Sequence, residues 1–432
     1  MGVLRGATAR KSMVALMDQG VVSAANFLTG LILGRMVSKD QFGLYLLGLT
    51  ILTLAMNIQE FIILMPYTIF SPRRKGRELV RYTSGTLIHQ IVLTVVVVLL
   101  LLAGVAATFL GLGPPGLGSV MEALALTGGF VLLRYYARNV CFASLEMGTA
   151  LLLDGGVSVL QVTGIFLLAG LGSLSAAGAY WVIGAASAAG TAVWFVARRN
   201  GFSLREAQPW VDLRQNLSVG GWILGSGLLW TLGTSLYPWL LVRYHGTASA
   251  GVWAACLGIT ALLNPLFLGL QNSFAPRIAH TYSEGGCASL CRFSVHATLV
   301  FGLTVAPFCL VLLFFGGPLV AVVYGSQYAG NSLVVALLAL NFLVSALTFS
   351  PSRALFTVGR ADIDFKVNLL MLGSLLTFGI PLVRAFGLAG AAVGLLAGNA
   401  ICLAFRYLAF IHYLRIPGRV PVHPVEVGVP RD

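Results

Sequence analysis

Apolar runs of about twenty residues recur from one end of this chain to the other, and a run of that length is long enough to cross a bilayer as a helix. Candidate spans begin near Met13, Phe42, Tyr82, Val120, Thr149 and Ala176, and again near Ser218, Thr247, Phe293, Ala329, Phe365 and Leu388. That makes twelve. Composition agrees, with 58% hydrophobic and only 9% charged residues in 432, where soluble domains carry roughly 25% charged. The chain is predicted to be an all-α polytopic membrane protein.

Loop charge sets the orientation. With both termini cytoplasmic, the inner side receives Arg5, Arg10 and Lys11, the group Arg73 to Arg81, and the loop and tail cations as far as Arg431. Of the 27 Lys and Arg, the outer side keeps only Arg35, Lys39, Arg243 and Arg384. This is the asymmetry of the positive-inside rule, and it accounts for the net charge of +13 without nucleic acid as a partner. The N-terminal cations run directly into an apolar stretch too long for the core of a signal peptide. Six cysteines form no CxxC and no disulfide framework.

The chain repeats itself. LILGRMVSKDQFGLYLLGLTI sets Arg35 eight residues before Gly43, and WLLVRYHGTASAGVWAACLGI sets Arg243 eight residues before Gly251. Pro66 and Pro276 close the following spans, and Gly178 and Gly390 open the sixth and twelfth. Six spans between repeats preserve orientation, so the halves are expected to be related by an axis along the membrane normal. The predicted organisation is a first bundle over 1–197, a cytoplasmic amphipathic linker over 198–217, a second bundle over 218–414 and a cytoplasmic tail over 415–432.

Polar residues inside the spans are the candidate site. Gln19, Ser23, Asn26 and Gly30 share one helical face, and Thr53, Asn57 and Glu60 share another. Lipid offers such groups no partners, so these faces should look onto protein or water. Arg134 and Arg138, four apart at the inner end of the fourth span, and Arg353 of the tenth are candidate anion ligands. A guanidinium suits phosphate because its planar fork donates bidentately. The competing reading is interfacial anchoring. Intramembrane acids are costly and usually serve a purpose, which makes Glu60, Asp18 and Asp154 candidates for proton or sodium coupling. Their alternative role is pairing with a nearby arginine. Asn264 and Asn341 are candidate sugar ligands, with Trp222, Trp230, Tyr237 and Trp239 as stacking platforms; the alternative for such groups is interhelical hydrogen bonding.

Other motifs carry little. Asp362-Ile-Asp364 matches a DxD pattern but has no soluble domain to hold a nucleotide. Cys287, Cys291, His280 and His296 lack zinc-site spacing. No phosphate-binding GxxxxGK[ST] sequence is present, which speaks against direct ATP coupling. No cofactor and no metal is expected.

The DQG…NFLTGLILGR…SKDQFGLY opening resembles the start of the polysaccharide and O-antigen flippases, within the multidrug, oligosaccharidyl-lipid and polysaccharide flippase superfamily. HGTASAGVWAA with Asn264-Pro265 and Ala275-Pro276-Arg277 is similar to that family's second-half opening. The resemblance implies twelve transmembrane helices in two parallel-repeat six-helix bundles forming a V around a central cavity. It implies movement of undecaprenyl-pyrophosphate-linked oligosaccharide from the inner to the outer leaflet of the cytoplasmic membrane, by alternating access. A polysaccharide polymerase and glycosyltransferases of the same pathway are the implied partners, beside membrane lipids. The two glycine hairpins are then expected to face each other across the cavity. Drug or cation extrusion within the same superfamily is the nearest alternative. A membrane-embedded glycan polymerase is a weaker one, because the outer loops are short and nearly free of acids.

Overall fold

The structure is a computed structural model describing residues 2–414; the tail over 415–432, with Arg415, Arg419 and Arg431, lies outside the described residues. The order is α1 Gly2–Met36, α2 Lys39–Gln59, α3 Met65–Phe70, α4 Gly76–Phe109, α5 Leu117–Ala143, α6 Met147–Gly170, α7 Ala176–Arg198, α8 Pro209–His245, α9 Thr247–Thr260, α10 Asn264–Tyr324, α11 Ser332–Thr357, α12 Ala361–Ser374 and α13 Ile380–Leu414. No strand occurs among the described residues. Nine stretches among them are long and apolar enough to cross a membrane. Val92, Leu99 and Leu100 give α4 an exposed apolar face of the kind a lipid-facing helix presents.

Local chemistry sets the boundaries. α1 ends with Arg35 in its last turn, and Ser38 caps α2 by accepting from Gln41 N at 3.3 Å, with Asp40 in the new first turn. Both charges complement the helix dipoles. Between α2 and α3 the chain makes one π turn, Glu60–Leu64, in which Met65 N donates to Glu60 O. Pro66 follows directly, and a proline has no N–H to give and displaces the preceding turn. A matching π turn, Leu375–Gly379, precedes Pro381. Glycines with positive φ break two long helices, Gly286 (φ 61°) inside α10 and Gly387 (φ 54°) inside α13.

Two compact units result, Met1–Thr231 with Leu241–Ala255, and Leu232–Leu240 with Cys256–Asp432. In the first, α1 packs along α6, and α5 lies against α4 and α7. Its core is aromatic: Tyr67 stacks on Tyr82 at 5.8 Å, and the fully buried Tyr136 tilts against Tyr67 at 6.3 Å. The second is built on α10 against α11 and α11 against α13. Phe301 stacks on Phe349 at 5.0 Å, with Phe267 edge-on to both.

The two repeat glycines touch. A Cβ on Gly43 would fall on Thr247 O and lie 3.0 Å from Gly251 N, and one on Gly251 would fall on Lys39 O. Asp40 accepts from the Thr247 hydroxyl beside this crossing. The two hairpins, expected to face each other across a cavity, meet backbone to backbone at this crossing, where neither glycine has a side chain to separate them.

The linker also continues further than its sequence boundary. From Pro209 onward it is the start of α8, a single helix running through 217 and 218 to His245.

Candidate functional site

α5 presents Arg134 and Arg138 one turn apart, and α1 and α6 bring one buried carboxylate each against them. Arg138 Nη2 lies 2.7 Å from Asp18 Oδ2, and Arg138 Nε lies 2.6 Å from Asp154 Oδ2. Arg134 Nε stands 3.6 Å from Asp154 Oδ1. Both acids are fully buried, while the arginine side chains retain 14% and 16% exposure, so the cations form the accessible rim of the cluster. Arg138 Nη2 also donates to Gln19 Oε1 at 3.2 Å, and Gln19 Nε2 donates to Ser23 at 3.4 Å. Phe142 closes one side, its ring 4.9 Å from the Arg138 guanidinium. The half-buried Glu60 feels the charge of Arg138 from the π turn, and Tyr135 lies in the field of both arginines.

This arrangement holds two guanidinium groups in place without using all their donors. An arginine carries five N–H groups. Among the described residues Arg138 commits Nε and Nη2, and neither Nη of Arg134 has a hydrogen-bond partner. Two cations against two buried anions keep the bare cluster near electroneutral, which membrane depth favours over isolated charge.

The structure therefore brings together Asp18, Gln19, Ser23, Arg134, Arg138 and Asp154, with Glu60 beside them. The remaining candidates lie elsewhere. Asn26 is exposed on α1, and Asn57 donates to Thr231 Oγ1 at 2.9 Å. In the second unit Asn264 is exposed at the head of α10, and Asn341 accepts from Asn399 Nδ2 at 2.6 Å. Arg353 is exposed on α11, its guanidinium 5.6 Å from the Phe349 ring, and no carboxylate pairs with it among the described residues. The side chain of Trp222 lies outside the described residues. The DxD acids are engaged in ion pairs, Asp362 with Arg360 at 2.8 Å and Asp364 with Arg406 at 3.1 Å.

Three elements of the site were absent from the sequence reading. The π turn positions Glu60, and Pro66 six residues on was its signal. Gln161 donates to Thr29 at 2.9 Å, both buried, fastening α6 to α1 beneath the charge cluster. Gln59, fully buried, donates to Gln90 and to Leu132 O at 2.8 Å each. The two glutamine contacts join residues distant in sequence, so no local spacing announces them.

The model of a family described as polysaccharide biosynthesis protein matches residues 8–281, which include the whole cluster. The chain belongs to that family. A curated relative, the capsular polysaccharide biosynthesis protein CapF of Staphylococcus aureus, is 20% identical over 187 residues, 42% of this chain and 46% of its own length. The chain thus spans about half the length of the curated relative it matches. Among solved structures, the inward-facing conformation of a multidrug resistance MATE family transporter of the MOP superfamily superposes with a TM-score of 0.78, at 16% identity, over 91% of this chain and 94% of that one. The outward-facing conformation of a MATE transporter gives 0.66 at 16% identity, over 94% and 95%. A MOP superfamily transporter from Pyrococcus furiosus, described as having a binding pocket of reverse polarity, gives 0.67 at 14% identity, over 94% and 95%. This family member is a multi-pass membrane protein with the two-bundle fold of MATE-type transporters.

Proposed function

We propose that the protein is a secondary transporter that flips an undecaprenyl-pyrophosphate-linked oligosaccharide from the inner to the outer leaflet of the cytoplasmic membrane. The observation that carries this reading is the arginine pair at the rim of a buried carboxylate pair, held rigidly with guanidinium donors to spare. A pyrophosphate presents its oxygens to such donors in the bidentate geometry that arginine favours. Family membership supports a polysaccharide precursor as the cargo, and the fold supports a transport cycle of alternating access. Twelve spans follow if the two glycine-broken stretches each count as two and α8 is added.

The same cluster offers a route to coupling. Pyrophosphate binding competes with Asp18 and Asp154 for Arg138, and a released carboxylate regains its balance by taking a proton. Glu60 stands next to that exchange. Cation extrusion is less well served, because the buried acids Asp18 and Asp154 are already neutralised by arginine.

The test uses proteoliposomes holding a fluorescent lipid-linked pyrophosphoryl oligosaccharide, whose transfer is read by reduction of the accessible leaflet's label. The intact protein is expected to exchange the label across the bilayer. Arg138→Gln with Asp154→Asn, which removes one cation and one buried anion together, is expected to abolish exchange while the protein stays in the membrane. Full exchange by that double variant removes the proposal.

A further inference from the structure

We propose that residues 203–217, the segment leading into α8 together with its first turns, are a strap whose outer face docks on anionic phospholipid headgroups at the cytoplasmic surface. Its inner face is fully engaged with α4. Ser203 N donates to Ser84 Oγ at 2.8 Å, and Arg77 grips Glu206 through Nε at 2.9 Å and Nη2 at 2.8 Å. Arg81 donates to Gln208 at 2.9 Å, His89 Nε2 lies 2.8 Å from Pro209 O, Arg74 donates to Gln215 at 2.6 Å and Tyr82 to Asn216 at 2.9 Å. Both acids of the strap turn this way, since Asp212 is fully buried with Arg74 Nη1 at 3.9 Å.

The outer face is the chemical complement. Trp210 is 82% exposed, Leu204 and Val211 are 59% exposed, and Arg205 and Arg214 are exposed among them with no acid partner in the described residues. Arg73, Lys75 and Arg199 add exposed positive charge at the same helix ends. α7 ends at Arg198 and α4 begins at Gly76, both membrane-capable helices, so the strap is held at the level where hydrocarbon gives way to headgroups. Tryptophan is favoured at that level, and arginine beside apolar side chains is the composition of segments lying on anionic bilayers. Two cations and no outward acid select phosphatidylglycerol over a zwitterionic lipid. The inference is independent of what the protein transports.

The experiment places the full chain in nanodiscs of phosphatidylcholine and phosphatidylglycerol, with bromine on the acyl chains of one lipid or the other. The Trp210 signal is taken as wild type minus Trp210→Phe. Quenching is expected from both brominated lipids and more strongly from phosphatidylglycerol. Arg205→Gln with Arg214→Gln is expected to remove the preference, each arginine contributing about fivefold in local lipid enrichment. Neither outward arginine touches the α4 contacts, so thermal unfolding of the variant should match wild type. An unquenched Trp210 overturns the proposal by placing the face in water or against a protein. A preference that survives the double substitution overturns it too.

Discussion

Arg138 and Asp154 form an ion pair between α5 and α6, Nε to Oδ2 at 2.6 Å, with the carboxylate fully buried. Removing one member of such a pair strands the other. Arg138→Gln is expected to destabilise the protein by roughly 3–5 kcal/mol, because Asp18 and Asp154 then remain buried against Arg134 alone. Adding Asp154→Asn should recover part of that loss without restoring transport. Thermal unfolding in detergent, read beside the proteoliposome assay, separates the two effects, and equal stability of all three proteins would rule out the pairing.

Gly43 and Gly251 permit a second, sharper contrast. Gly251→Ala pushes a methyl group onto Lys39 O and is expected to cost roughly 1–3 kcal/mol, as overpacking does. Gly30→Ala meets nothing within 4 Å and should be neutral or stabilising by up to about 1 kcal/mol, since alanine is the better helix former. Paired melting curves for the two alanine variants check the difference in sign.

Pro66→Ala restores the missing N–H and should let the Glu60–Leu64 turn relax into regular α-helix. Glu60 then rotates away from the Arg138 field. Transport is expected to fall while thermal stability holds or rises. Unchanged transport with a relaxed turn, seen by hydrogen exchange, would remove Glu60's position from the account.

Glu206 carries a pH dependence. Its hydrogen bonds from Arg77 hold the carboxyl below its ordinary range. The contribution is present above about pH 4.3, the unfolded value, and is lost as pH falls through the lower folded value. Protection of the strap's amides, taken relative to the intrinsic exchange rate at each pH, should therefore fall in acid and in high salt, because an exposed pair is screened. In Glu206→Gln the acid limb should vanish.

Much of this molecule was legible from its residues. The membrane-capable helices and the paired glycine hairpins follow from hydropathy and spacing, which are local properties. The polar stripe on α1 set Gln19 and Ser23 on one face, where they hydrogen-bond to each other, because one helix fixes which residues share a face. It did not reveal that Asp18, one position off that stripe, meets an arginine 120 residues later. Partner choice across helices depends on packing, and so does the direct meeting of Gly43 with Gly251. The strap shows the same limit: its composition announced an amphipathic segment, while its continuity with α8 and its grip on α4 rest on tertiary hydrogen bonds.

The most direct test is made in cells. With the gene deleted, lipid-linked glycans are extracted and weighed by mass spectrometry, and their leaflet is probed with a membrane-impermeant enzyme. The account predicts that a completed undecaprenyl-linked repeat unit accumulates on the inner leaflet and clears when the wild-type protein, but not Arg138→Gln with Asp154→Asn, is returned. An unfinished unit, or a completed unit that reaches the outer leaflet normally without the protein, would contradict it.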